Sequence, residues 1–134
     1  MYAIDKKPFG FKLTFSGFIK LEEMAKWVDD SKRSLFGQTP GFGVLVDMRD
    51  LKPLPEDAQA EMQSGQKLYK QAGMTRSAVI LASPTVAMQF RRIAKETGIA
   101  AWERYLDPTQ ADFERKAIAW LEQGLDPDVS AKAA

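Results

Sequence analysis

Two short apolar runs limit what this chain can fold into: Val44-Leu45-Val46, and "SAVILA" from Ser77 to Ala82. Neither alternates apolar with polar residues, so a strand built from either needs cover on both faces. Between them Ala58, Met62, Leu68 and Ala72 recur at helical spacing, and Gly73 follows as a left-handed C-terminal cap. Strand, helix and strand in that order predict a parallel pair joined by a crossover helix.

The flanking segments extend the pattern. "YAID" and "FKLTFSG" read as two strands joined by a turn at Pro8 to Gly10. In the second, Phe11, Leu13 and Phe15 alternate with Lys12, Thr14 and Ser16, which marks one buried face. Leu21, Met24, Trp27, Val28, Leu35 and Phe36 form the inward stripe of a helix closed by "GQTPG". Ser83 and Pro84 are an N-cap and first helical residue. That helix turns Val86, Phe90, Ile93 and Ala94 inward and stops at Gly98. A short strand around "WERYL" follows, and Asp107 and Pro108 are expected to cap a last helix with Phe113, Ala117, Trp120 and Leu121 inward. The order β-β-α-β-α-β-α-β-α predicts a single-domain α/β fold, with a mixed, mostly parallel five-stranded sheet and four helices. The domain is expected to span residues 1–125, and residues 126–134 to form a flexible tail.

Composition narrows the chemistry. The chain has no cysteine and no histidine. This excludes disulfides, thiolate or imidazole metal sites, cysteine nucleophiles and Ser-His-Asp triads. No metal and no cofactor is expected: "GFGVLV" places its glycines before a strand, the wrong end for a dinucleotide fingerprint. A formal net charge of +1 supplies no bulk attraction to nucleic acid or anionic membrane. No segment approaches ~18 consecutive apolar residues, so no stable membrane insertion is expected and the protein reads as soluble and cytoplasmic.

"VLVDMRDL", "AVILASPTVAMQFRRIAKETG" and "FERKAIAWLEQG" resemble the SpoIIAA-like branch of the STAS superfamily over nearly the whole chain. The resemblance implies a small α/β domain, often a dimer, related in shape to CRAL-TRIO lipid-binding domains. In the phosphorylation-switched anti-sigma antagonists of that superfamily, the matching strand leads into an Asp-Ser-Ser-Gly-like helix start. Here "DLKPLPEDAQ" follows, with no Ser or Thr from Asp47 to Gln59. A phosphate needs a hydroxyl, so that switch does not carry over.

Ligands of open α/β sheets sit beyond the carboxyl ends of the strands. That edge is expected to gather Asp47, Met48, Arg49, Ser83, Pro84, Arg104 and Tyr105, with two guanidinium groups and a helix start suited to a carboxylate or phosphate. The competing reading is structural, with Asp47 paired to Arg49 and Arg104 reaching solvent. Arg91, Arg92 and Lys95 read as a mixed, solvated helix face, and Glu56, Asp57 and Glu61 as acidic residues favoured in a first helical turn. The expected function is a non-catalytic regulatory or binding module, homodimeric, for a small anionic or amphipathic ligand or a protein partner. The alternative, a lipid or acyl-chain carrier, needs an apolar cavity on the order of several hundred Å³.

Overall fold

The structure is a computed structural model and describes residues 1–128. The first strand, β1 (Tyr2–Lys7), turns back into β2 (Gly10–Gly17), and α1 (Leu21–Leu35) follows. Next come β3 (Phe42–Leu51), α2 (Glu56–Ala72), β4 (Met74–Leu81) and α3 (Pro84–Thr97). A 3-10 turn over Ala100–Trp102 leads to β5 (Glu103–Leu106), and α4 (Phe113–Gln123) closes the domain.

The sheet order is β1-β2-β3-β4-β5. β1 is antiparallel to β2, and every later pair is parallel. A strictly sequential parallel order with same-handed crossovers puts the connecting helices on one face, and α1, α2 and α3 pack there side by side. α4 comes after the last strand and covers the other face, against β3, β4 and β5. That explains why the central strands are apolar on both sides. Val44, Val46 and Val79 face the three-helix layer, while Leu45, Ala78, Ile80 and Leu106 meet Ala117, Trp120 and Leu121 of α4.

Trp27 lies in the middle of the larger core. Its ring stacks on Tyr69 with centroids 5.8 Å apart and meets Phe15 edge-on at 5.2 Å. The buried residues of α2 are Ala58, Met62, Gly65, Gln66 and Tyr69, whereas Leu68 is only half-buried. Gly65 is the point where α2 passes over Trp27, and a Cβ there would overlap the indole ring.

Helix termini follow their local chemistry. Gly73 and Gly98 are left-handed caps, and the Ser83 hydroxyl accepts from Val86 N at 3.3 Å with Pro84 in the first turn. Two expectations need correction. Phe36 is not on the inward stripe: it lies one residue past α1, with extended backbone, and is 91% exposed. The last helix starts at Phe113 and not after Pro108, because the Asp107 carboxylate is taken by Thr109, through its N–H at 2.9 Å and its hydroxyl at 2.7 Å. Asp107 thus closes a turn. Of the expected tail, Asp126 is held by Arg104, and residues 129–134 lie outside the described residues.

Candidate functional site

The residues expected at the strand-end rim divide between the two faces of the sheet, because side chains alternate along each strand. Asp47 and Arg104 project toward the α4 side. Met48 points into the larger core and is 2% exposed. The two arginines are engaged within the chain. Arg49 Nη2 donates to Asp47 Oδ2 at 2.7 Å and Nε to Oδ1 at 3.1 Å, and its guanidinium lies over Phe113 at the start of α4. Burial opposes ionisation of Asp47, but the Arg49 hydrogen bonds outweigh it and hold the carboxyl below its usual range. Arg104 grips Asp126 through Nε at 2.9 Å and Nη2 at 3.0 Å, lies over Trp120 near the other end of α4, and donates through Nη1 to the carbonyls of Ala101 and Glu103. Phe113 and Trp120 are roughly 10 Å apart along the helix axis at the standard rise. The two guanidinium groups therefore share no groove.

Ser83 and Tyr105 do come together. They line a cleft of about 250 Å³ with Leu81, Ala87, Arg91 and Asp107, at the carboxyl ends of β4 and β5. Pro84, Ala87 and Arg91 reach it from one side of α3, since residues three and four apart share a helix face. The Arg91 guanidinium sits over the Tyr105 ring, 4.9 Å from its centroid. Among the described residues Arg91 has no ion-pair partner. A shallower depression continues from the same two side chains past Arg92, Lys95 and Ala100. Arg91 is exposed, as a solvated helix face requires, and its spacing of seven from Pro84 brings it to the same cleft.

Beneath the cleft lies a buried acid. Glu103 is 5% exposed, with Ser77 Oγ donating to Oε1 at 2.9 Å and Tyr105 Oη donating to Oε2 at 2.6 Å. No lysine or arginine forms an ion pair with it among the described residues. Burial pushes its pKa up, and the two hydroxyl donors offset this only in part. Burial also raises the pKa of Tyr105, reinforced by the charge of Glu103. Glu103 lines an interior cavity of about 30 Å³ with Trp27, Gln66, Tyr69, Ser77 and Phe90. Trp27 Nε1, on a side chain at the same cavity, is buried with no hydrogen-bond partner among the described residues. Nothing in the sequence marked Glu103, because alternation along "WERYL" allows either Glu103 or Arg104 to face inward.

No family model matches the chain, and no curated protein matches it. Among solved structures, it is similar to the crystal structure of an uncharacterised protein of the DUF3478 family with a SpoIIAA-like fold, from Shewanella loihica PV-4. The identity is 18%, the TM-score is 0.61, and the match covers 90% of this chain and 92% of that one. The fold of this chain is accordingly SpoIIAA-like: an α/β domain with a five-stranded, mostly parallel sheet and four helices. Among the described residues no helix is long and apolar enough to cross a membrane.

Proposed function

We propose that this protein is a non-catalytic binding module that holds a small anionic group, a carboxylate or an oxyanion, in the cleft between the start of α3 and the end of β5. The observation that carries this reading is Arg91: a guanidinium fixed over an aromatic ring at a cleft mouth, with no carboxylate partner among the described residues. Lys95 adds positive charge along the same helix. Arg49 does not offer the same opportunity, since it is paired to Asp47.

An anion is favoured over an acyl chain on volume. The interior cavity, about 30 Å³, has room for about two water molecules, far below the several hundred Å³ typical of ligand pockets. Catalysis is disfavoured on access: among the described residues Glu103 is the acid displaced toward neutrality, and it faces that small interior space. The homodimer belongs to the same proposal, with Phe18, 77% exposed, and Phe36 as contact candidates; a monomer by sedimentation at micromolar concentration removes it.

Calorimetric titration with sulfate, phosphate and small carboxylates tests the binding reading. Wild type, Arg49→Ala and Arg104→Ala should bind alike, and Arg91→Ala should lose binding by about tenfold or more, as expected for a lost charge-assisted contact. Equal heats from Arg91→Ala and wild type refute it.

A further inference from the structure

Tyr105 belongs to two places at once. Its ring supports Arg91 in the cleft, and its hydroxyl holds Glu103 at 2.6 Å. We propose that Glu103 is a proton switch for the cleft: with Glu103 neutral the cleft binds its anion, and with Glu103 ionised it releases it, the two groups being coupled through Tyr105. This rests on the anion reading above and names how that site is regulated.

The surroundings of Glu103 leave it little alternative compensation for a charge. From β4 it meets Ser77; from α1, α2 and α3 the shared cavity presents Trp27, Gln66, Tyr69 and Phe90; Ile99 closes the side near the 3-10 turn. Of these only Tyr69 titrates, and burial pushes it up to about 12, outside the working range. Among the cations on the same face of the sheet, Arg91 lies across the Tyr105 ring, while Lys70 of α2 donates to the Thr97 carbonyl and Lys6 of β1 lies over Phe11. Arg104 is adjacent in sequence but points to the other face and is committed to Asp126. At the cleft mouth Asp107 stays ionised throughout, its pKa lowered by hydrogen bonds from Thr109. Arg92 and Lys95 line the adjoining depression.

An ionised Glu103 therefore turns to the cation that the ligand needs. Its negative charge draws on Arg91 and repels an incoming anion, with the Tyr105 side chain between them. Neutral Glu103 removes both effects. The Ser77 and Tyr105 hydroxyls can donate to the carboxylate or accept from the acid, so the same network serves both states. Linkage requires the converse: a bound anion must raise the proton affinity of Glu103 by the same factor.

This chain makes the test unusually clean, because without histidine or cysteine no side chain of ordinary pKa titrates between about pH 5.5 and 8.5. Sulfate keeps a constant charge over that range and serves as the probe. Wild type should bind sulfate about tenfold more weakly above the midpoint of the Glu103 titration than below it, a factor in the usual range for coupled sites. Glu103→Gln should bind at the tight limit at every pH. Tyr105→Phe keeps the ring but removes one hydroxyl donor to the ionised acid, and should move the profile to higher pH. NMR titration of the Glu103 carboxyl carbon in the unmodified protein needs no variant: its midpoint should rise in saturating sulfate. A pH-independent sulfate affinity in wild type, or a midpoint that sulfate does not move, overturns the switch and leaves the anion site standing. No sulfate binding at any pH overturns both.

Discussion

Gly65→Ala separates local propensity from tertiary packing in one substitution. Gly65 lies in the middle of α2, with helical backbone, so replacing it by alanine should on propensity alone stabilise the helix by about 1 kcal/mol. The structure reverses that expectation. The added methyl would overlap the six-membered ring of Trp27, whose side chain is 1% exposed and held by Tyr69 on its face and Phe15 at its edge. Overpacking a well-filled core costs about 1–3 kcal/mol. The cavity of about 30 Å³ beside Trp27 lets the ring shift without displacing backbone, but doing so disturbs the 5.8 Å stack on Tyr69. With the propensity gain subtracted, a net loss of up to ~2 kcal/mol remains, or a fall in Tm of up to about 8 °C for a domain of this size. Urea unfolding followed by tryptophan fluorescence and circular dichroism reads it directly. The internal control is Trp27→Phe, which removes the overlapping ring atoms. In that background Gly65→Ala should be stabilising by up to about 1 kcal/mol, giving a coupling energy of about 1–3 kcal/mol. An effect of Gly65→Ala that is unchanged when Trp27→Phe is also present would refute the packing argument.

Other outcomes follow from the same coordinates. Because the pKa of Glu103 is raised in the folded state, its contribution to stability is full below the ordinary carboxyl value of 4.5 and is lost as pH rises through the folded midpoint. Each tenfold difference in proton affinity between folded and unfolded chain corresponds to about 1.4 kcal/mol. Wild type should therefore lose stability relative to Glu103→Gln as pH rises above the ordinary carboxyl range in paired urea titrations; curves that keep a constant separation would contradict this. Arg104→Ala breaks a two-pronged, partly buried ion pair and should cost about 1–3 kcal/mol, whereas Arg49→Ala, with its guanidinium more open to solvent, should cost less than about 1 kcal/mol. Chemical denaturation of the two variants decides that order. Phe36→Ser should change stability by less than about 0.5 kcal/mol, since the ring is almost wholly in solvent, and a larger loss in thermal unfolding would mean the residue packs after all.

The candidate site was only partly legible. Ser83 was readable because an N-cap followed by proline is a local signal, and Tyr105 because a strand end was expected there. Arg49 and Arg104 had the right residue type at the right edge, but their partners, Asp47 at two residues' distance and Asp126 at the end of the fold, take them up. Arg91 replaced them, and its place was decided by where its guanidinium meets the Tyr105 ring across the cleft.

Sequence by itself determined the order of elements, the parallel core strands, the two-sided cover of the sheet and the helix ends at Gly73, Ser83 and Gly98. These follow from periodicity and capping, which act over a few residues. Tertiary structure alone decided that Glu103, not Arg104, faces inward, that Gly65 makes room for Trp27, and that Tyr105 joins a buried acid to a surface arginine. A strand as short as β5 can present either alternate face, and only packing against α4 on one side and the three-helix layer on the other selects between them.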